Sequence, residues 1–119
     1  MKNIDILEIE KRLKAFDTER DWSQFHSVKN LTMALSVEAS ELVEIFQWAT
    51  EEESNNARSN ESVKAKVSNE IADIFIYLLK IASLVDVDIE KSVLEKIIEN
   101  SKKYPADKVR GKAIKYTDL

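Results

Sequence analysis

The sequence predicts an all-α fold of four helices in one domain, residues 1–119, and three observations carry that expectation. A single Gly and a single Pro stand among 119 residues rich in Glu, Lys, Leu, Ile and Ala, which favours helix over any turn-rich β architecture. Apolar residues recur at three- and four-residue spacing through most of the chain. The length is that of one domain, without internal repeats or low-complexity stretches.

Taken in order, Ile4, Leu7, Ile9, Leu13 and Phe16 mark a first helix over about 3–18, closed by the polar connection Asp17-Thr18-Glu19-Arg20-Asp21. A second helix starts at the cap Ser27 and runs to about Glu52. The polar segment from Glu51 to Ser62, with Ser54-Asn55-Asn56 and Ser59-Asn60 as breakers, reads as an exposed loop. The third helix covers about 61–85. Asp86-Val87-Asp88 then turns the chain, with Asp88 capping a fourth helix to about Lys103. Tyr104-Pro105 ends it, and Gly111 lies in an irregular tail reaching Leu119.

Composition narrows the function classes. The absence of Cys excludes disulfides, zinc-thiolate centres and thiol nucleophiles, and fits a reducing, cytoplasmic setting. Met1-Lys2-Asn3-Ile4-Asp5 runs straight into an amphipathic pattern with nothing resembling a signal peptide, and no apolar stretch approaches about 18 residues, so no membrane association is expected. A net charge of −4 argues against binding a nucleic-acid polymer. The basic residues collect late: Lys91, Lys96, Lys102, Lys103, Lys108, Arg110, Lys112 and Lys115 suit either an anionic small molecule or a solvated surface.

Four acidic residues stand where acids do not belong. At about 100° per residue, Leu31, Ala34, Leu35, Leu42, Ile45 and Ala49 all fall within about 60° of Glu38, and Glu41 flanks the same stripe. On the third helix Glu70 lies among Val67, Ile74, Tyr77, Leu78, Ile81 and Val85, with Asp73 one turn along. Unpaired carboxylates on a dry face cost several kcal/mol each, so they require neutralisation. Buried salt bridges to Lys or Arg would serve for one such acid. Two i, i+3 pairs on the facing stripes of a helical hairpin instead define an oxygen-only site suited to Mg²⁺ or Mn²⁺, with phosphate as the natural substrate group. Glu44, one turn beyond Glu41, is placed as a further ligand, an outer acceptor or a base. A di-iron bundle would need Glu-x-x-His motifs, and the only histidine is His26.

The third helix also carries Ala72, Phe75, Ile76 and Leu79 opposite the Glu70 stripe. A helix apolar nearly all round must be covered on both sides, so self-association is expected.

These residues carry a resemblance. Glu38-x-x-Glu41, 28 residues (42–69), then Glu70-x-x-Asp73 resembles the signature of the all-α NTP pyrophosphohydrolases, the MazG-like group. Glu19-Arg20-Asp21-Trp22-x-Gln24-Phe25-His26 with Asn30-Leu31, Glu41-Leu42-x-Glu44-x-Phe46-Gln47-Trp48, Lys96-x-x-x-Asn100-x-x-x-Tyr104-Pro105-Ala106 and the closing Lys115-Tyr116-Thr117-Asp118-Leu119 are similar to the dCTP pyrophosphatase branch. The similarity covers about residues 10–119. Many MazG sequences have tandem Glu where this chain has Val37-Glu38, a departure the dCTP pyrophosphatases share.

The resemblance implies a four-helix bundle assembled as a homodimer or homotetramer, hydrolysing a nucleoside triphosphate between the α- and β-phosphates. It places metal on Glu38, Glu41, Glu70 and Asp73. It also implies nucleotide contacts from Trp22, His26, Trp48, Tyr77, Lys96, Asn100, Lys115 and Tyr116. The residues themselves leave alternatives open: Trp22 and Trp48 also read as anchors of helix ends, His26 as a locally hydrogen-bonded helix start, and Lys115-Tyr116 as a docked terminus. The expected activity is Mg²⁺-dependent hydrolysis of dCTP or a modified dCTP, as house-cleaning of the nucleotide pool. The alternatives are dATP or dUTP as substrate, or a non-catalytic helical interaction module.

Overall fold

The computed structural model describes residues 3–119, and every regular element among them is helical. The elements are α1 (Ile6–Glu19), a 3₁₀ turn (Ser23–Phe25), α2 (Val28–Phe46), α3 (Glu51–Asn55), a second 3₁₀ turn (Ala57–Ser59), α4 (Glu61–Leu84), α5 (Ile89–Lys103), α6 (Ala106–Val109) and a last 3₁₀ turn (Tyr116–Asp118). They fall into two compact units, one ending at Val85 and the other running Asp86–Leu119.

The long helices begin where side-chain caps satisfy their first amides. Asp5 accepts from the Glu8 amide at α1, Ser27 from Asn30 at α2, Asn60 from Val63 at α4 and Asp88 from Lys91 at α5. The caps expected at Ser27 and Asp88 are therefore in place.

The expected second helix is too long. It stops at Phe46, and the segment read as a loop is itself helical. Thr50 is the reason. Its hydroxyl accepts from the Glu53 amide while the Glu53 carboxylate accepts from the Thr50 amide, a capping box that starts α3 in extended backbone (φ −75°, ψ 164°). Glu51, Glu52 and Glu53 add charge complementary to that helix N-terminus. The last turn of α2 tightens instead, with Gln47 N–H donating to Glu44 O and Ala49 N–H to Phe46 O.

In the first unit α2 packs chiefly on α4. Leu31 shares its surroundings with Leu79 while Glu38 meets Glu70, so the two helices run antiparallel. Leu31 and Leu79 are each 1% exposed and, with Ala82, form the fully buried apolar core. Much of the rest of the apolar surface is uncovered: Met33, Val37 and Val43 on α2 and Ile71 and Leu78 on α4 are exposed.

In the second unit α5 presents Val93, Leu94, Ile97 and Ile98 to solvent. Tyr104 and Tyr116 meet edge to face with ring centroids 6.0 Å apart, and the Lys103 ammonium lies 4.9 Å from the Tyr116 centroid. Gly111 turns the chain at φ +75°, where a side chain would be strained.

Leu79, expected on the face of α4 left for another copy, is instead buried within the chain, and Leu79→Ala lowers the unfolding free energy by about 2–5 kcal/mol. A shift of the urea midpoint at unchanged slope checks this.

Candidate metal and nucleotide site

Glu38 and Glu41 lie on α2 and Glu70 on α4, and the antiparallel packing brings the three together. One carboxylate oxygen from each falls within 4.8 Å of the others. Glu41 is exposed and the other two are half-buried. Within that group Glu38 Oε2 and Glu70 Oε2 are out of contact with water and have no hydrogen-bond partner. As ionised carboxylates both are acceptors facing acceptors. Only a shared proton or a cation relieves them.

The first remedy appears in the acidity of Glu38, which is pushed from its ordinary 4.5 up to about 7. The facing Glu70 carboxylate, which a proton on Glu38 would bridge, contributes most, followed by burial, then the neighbouring Glu41 carboxylate and the charge of Asp73. The second remedy fits the donor set: three carboxylates with no nitrogen or sulfur beside them form a hard oxygen site matched to a hard divalent cation.

Asp73 and Glu44 do not join the close group. Asp73 lies one turn from Glu70, near enough for its charge to act on Glu38 and Tyr77. Glu44 is exposed one turn beyond Glu41.

Tyr77 is two turns past Glu70 on α4 and half-buried. Burial raises its phenol first, then the charges of Glu38, Asp73 and Asp17. Tyr77 therefore lies between the acid cluster and a second polar centre, and it stays a neutral phenol.

That second centre was not legible as a site. Asp17, placed by the sequence reading in a polar connection, lies in the last turns of α1 and is 7% exposed. Its carboxylate receives the Lys80 ammonium of α4 at 2.9 Å on Oδ2 and 3.2 Å on Oδ1, and His26 Nδ1 lies 3.4 Å from Oδ2. Two signals were available: Asp17 follows Leu13 by four residues on the apolar stripe of α1, and Lys80 interrupts the run Tyr77-Leu78-Leu79-Lys80-Ile81.

The connection carrying Trp22 and His26 is fixed at several points. Gln24 Nε2 donates to Asp21 O and Oδ2, Asn30 Nδ2 donates to Phe25 O, and Trp22 N–H donates to Asp17 O. Trp22 packs edge to face on Phe16 at 5.7 Å, while Arg20 covers that ring at 3.6 Å. Trp48, in the break after α2, is 89% exposed.

Lys96, Asn100, Lys115 and Tyr116 belong to the second unit. Lys96 is exposed and pairs with Glu99 at 3.4 Å. Asn100 O accepts from the Tyr104 amide at 2.8 Å, and Tyr116 packs on Tyr104 as described. Lys103 and then Lys96 hold the Glu99 carboxyl below its ordinary range.

Helices alone, with carboxylates gathered between two of them, define an all-α protein with an acidic centre in the seam of a hairpin. The model of the MazG-like family matches residues 33–119. The dCTP pyrophosphatase 1 of Bos taurus is 44% identical over 114 residues, covering 95% of this chain and 68% of the relative. That of Homo sapiens is 41% identical over 114 residues, with 95% and 67% covered. The crystal structure of a pyrophosphatase from Archaeoglobus fulgidus superposes with a TM-score of 0.77 at 33% identity, covering 88% of this chain and 96% of that one. The chain belongs to the MazG-like family.

The acidity of Glu38 sets a pH dependence for the cation-free protein. Its folded-state value lies above the unfolded one, so the folded state holds the proton more tightly. That contribution is fully present below the unfolded value of 4.5 and is lost as pH rises through about 7. In chelator, Glu38→Gln flattens the fall in stability across this window, read from urea midpoints at successive pH values.

Proposed function

We propose that this protein hydrolyses a deoxynucleoside triphosphate, dCTP or a modified dCTP, between the α- and β-phosphates to the monophosphate and pyrophosphate. The chain is a nucleotide pyrophosphohydrolase by family and by its relatives. The base follows the name those relatives carry, dCTP pyrophosphatase 1. The observation that carries the reading is the pair of partnerless oxygens on Glu38 and Glu70 inside a group of three carboxylates.

Glu38, Glu41 and Glu70 would hold a divalent cation, with Asp73 completing the set by a side-chain rotation. Mg²⁺ is the natural ion for such ligands when phosphate oxygens supply the rest, and Mn²⁺ its substitute. When bound, the cation acts as a Lewis acid that neutralises charge on the phosphates and eases ionisation of water. Glu41 or Glu44, both exposed at the cluster's edge, takes the proton of the attacking water as general base.

Trp48 offers an uncovered indole face for stacking a base, and Trp22 a half-exposed one. Tyr77, neutral and beside the cluster, packs against C2′ of the sugar and leaves no room for a hydroxyl. For Lys96, Asn100, Lys115 and Tyr116 the support as nucleotide contacts is the motif alone. The uncovered apolar residues of α2 and α4 support assembly into a homodimer or a dimer of dimers. Such a hydrolase would clear the nucleotide pool of the cytoplasm.

Glu70→Gln removes a ligand while keeping the shape, and kcat falls more than about a hundredfold. The check is turnover of canonical and modified dNTPs and NTPs with Mg²⁺, resolving the products. Release of diphosphate and phosphate, or no turnover with Mg²⁺ or Mn²⁺, contradicts the reading. Tyr77→Ala relaxes discrimination against ribonucleotides by about tenfold or more, the scale of losing one close packing contact. An unchanged dCTP-to-CTP ratio of kcat/KM refutes that role.

A further inference from the structure

Among the described residues, every ion pair but those of Asp17 joins positions no more than four apart. Asp17 lies near the end of α1 and is the one charged residue fully buried among them. Its carboxylate takes the Lys80 ammonium of α4, 63 residues away, at 2.9 and 3.2 Å, and lies 3.4 Å from His26 Nδ1. Its main-chain oxygen accepts from the Trp22 amide at 3.0 Å. One residue therefore grips the connection between α1 and α2 at two points, Trp22 through the backbone and His26 through the carboxylate.

The other side-chain bonds of this connection do not reach α4. Gln24 closes on Asp21, and Asn30 of α2 donates to Phe25 O. The chain Lys80–Asp17–His26 is thus its polar link to the helix that carries Glu70, Asp73 and Tyr77. The charge of Asp17 reaches Tyr77, which also feels Glu38 and Asp73, so the link is made close to the acid cluster. Stability alone does not account for it. Leu13, Leu31 and Leu79 lie around the pair, and in such surroundings two apolar residues serve as well as a buried ion pair or better. What the charges add is a fixed geometry, because a carboxylate seated on an ammonium accepts from a third group in one direction only.

We propose that Asp17, seated on Lys80, is a positioning residue that acts through His26 and fixes the α1–α2 connection against α4 before substrate arrives. Neither Asp17 nor Lys80 touches the nucleotide in this account. Their part is to set the imidazole, and the turn that also carries the half-exposed Trp22, in one arrangement. A connection ordered in advance binds without the loss of freedom that a loose one suffers. The effect therefore falls on binding of the nucleotide and leaves the chemistry at the acid cluster alone.

This inference rests on the pyrophosphohydrolase reading, and the experiment separates the two. Asp17→Leu combined with Lys80→Met removes both charges together, so the urea midpoint stays at or above that of the unmodified protein. With stability kept, KM for dCTP in Mg²⁺ still rises about three- to tenfold, the scale of ordering side chains during binding, while kcat changes less than about twofold. In a His26→Ala background the double replacement raises KM no further, as required of a residue acting through His26. A readout independent of turnover is hydrogen exchange. The Phe25 and His26 amides, bonded to Trp22 O and Ser23 O, exchange about tenfold faster in the double variant while the interior amides of α2 and α4 keep their protection. Full stability with unchanged KM or unchanged exchange assigns the pair to packing alone and overturns the proposal, as does a further rise of KM in the His26→Ala background. No turnover of any triphosphate by the unmodified protein overturns the hydrolase reading instead, and exchange then decides the positioning by itself. Should the double variant fail to fold, Asp17→Asn decides on the same KM and exchange readouts.

Discussion

The structure turns on carboxylates held against one another inside a helical seam. Glu38 and Glu70 each keep an oxygen out of water with no donor in reach, and neither helix can rotate to release them. Rotation would expose Leu31 and Leu79, which are almost wholly buried. The apolar seam therefore holds the acids in a state they would not choose alone. Without a cation the seam keeps a proton on Glu38 near neutral pH. With one, the same repulsion becomes ligand charge. Carboxylates held in this way form a donor set that a hard divalent cation would relieve.

A second consequence is linear order along the seam. Along α4, Tyr77 follows Glu70 by two turns, and Lys80, paired to Asp17 of α1, lies one turn further. The uncovered faces of α2 and α4, with Val37 and Ile71 more than half exposed, leave surface for a second copy.

Much of this was legible in the sequence because helical periodicity is rigid. Glu38, Glu41 and Glu70 stood out as acids on apolar stripes, and Ser27 and Asp88 as caps, since each depends only on residues three or four apart. Two things were less legible. The end of α2 depends on a competition: Thr50 and Glu53 gain two hydrogen bonds by starting a new helix, and no periodicity in Glu44–Glu52 reveals that. Asp17 was hidden in the acidic and basic run 17–21, where its burial arises from Lys80, 63 residues away. Asp73 shows a subtler limit. An i+3 neighbour points about 60° away from its partner, so a shared face does not ensure that both carboxylates reach one point. Glu41 does so and Asp73 does not.

The most direct test of the central claim is calorimetric titration of Mn²⁺ into the nucleotide-free protein near pH 6, in buffers of different ionisation enthalpy. If the cation takes the place of the proton between Glu38 and Glu70, binding releases protons, and Glu38→Gln abolishes that release together with most of the affinity. Binding that survives Glu38→Gln unchanged, or no binding at all, would contradict the account.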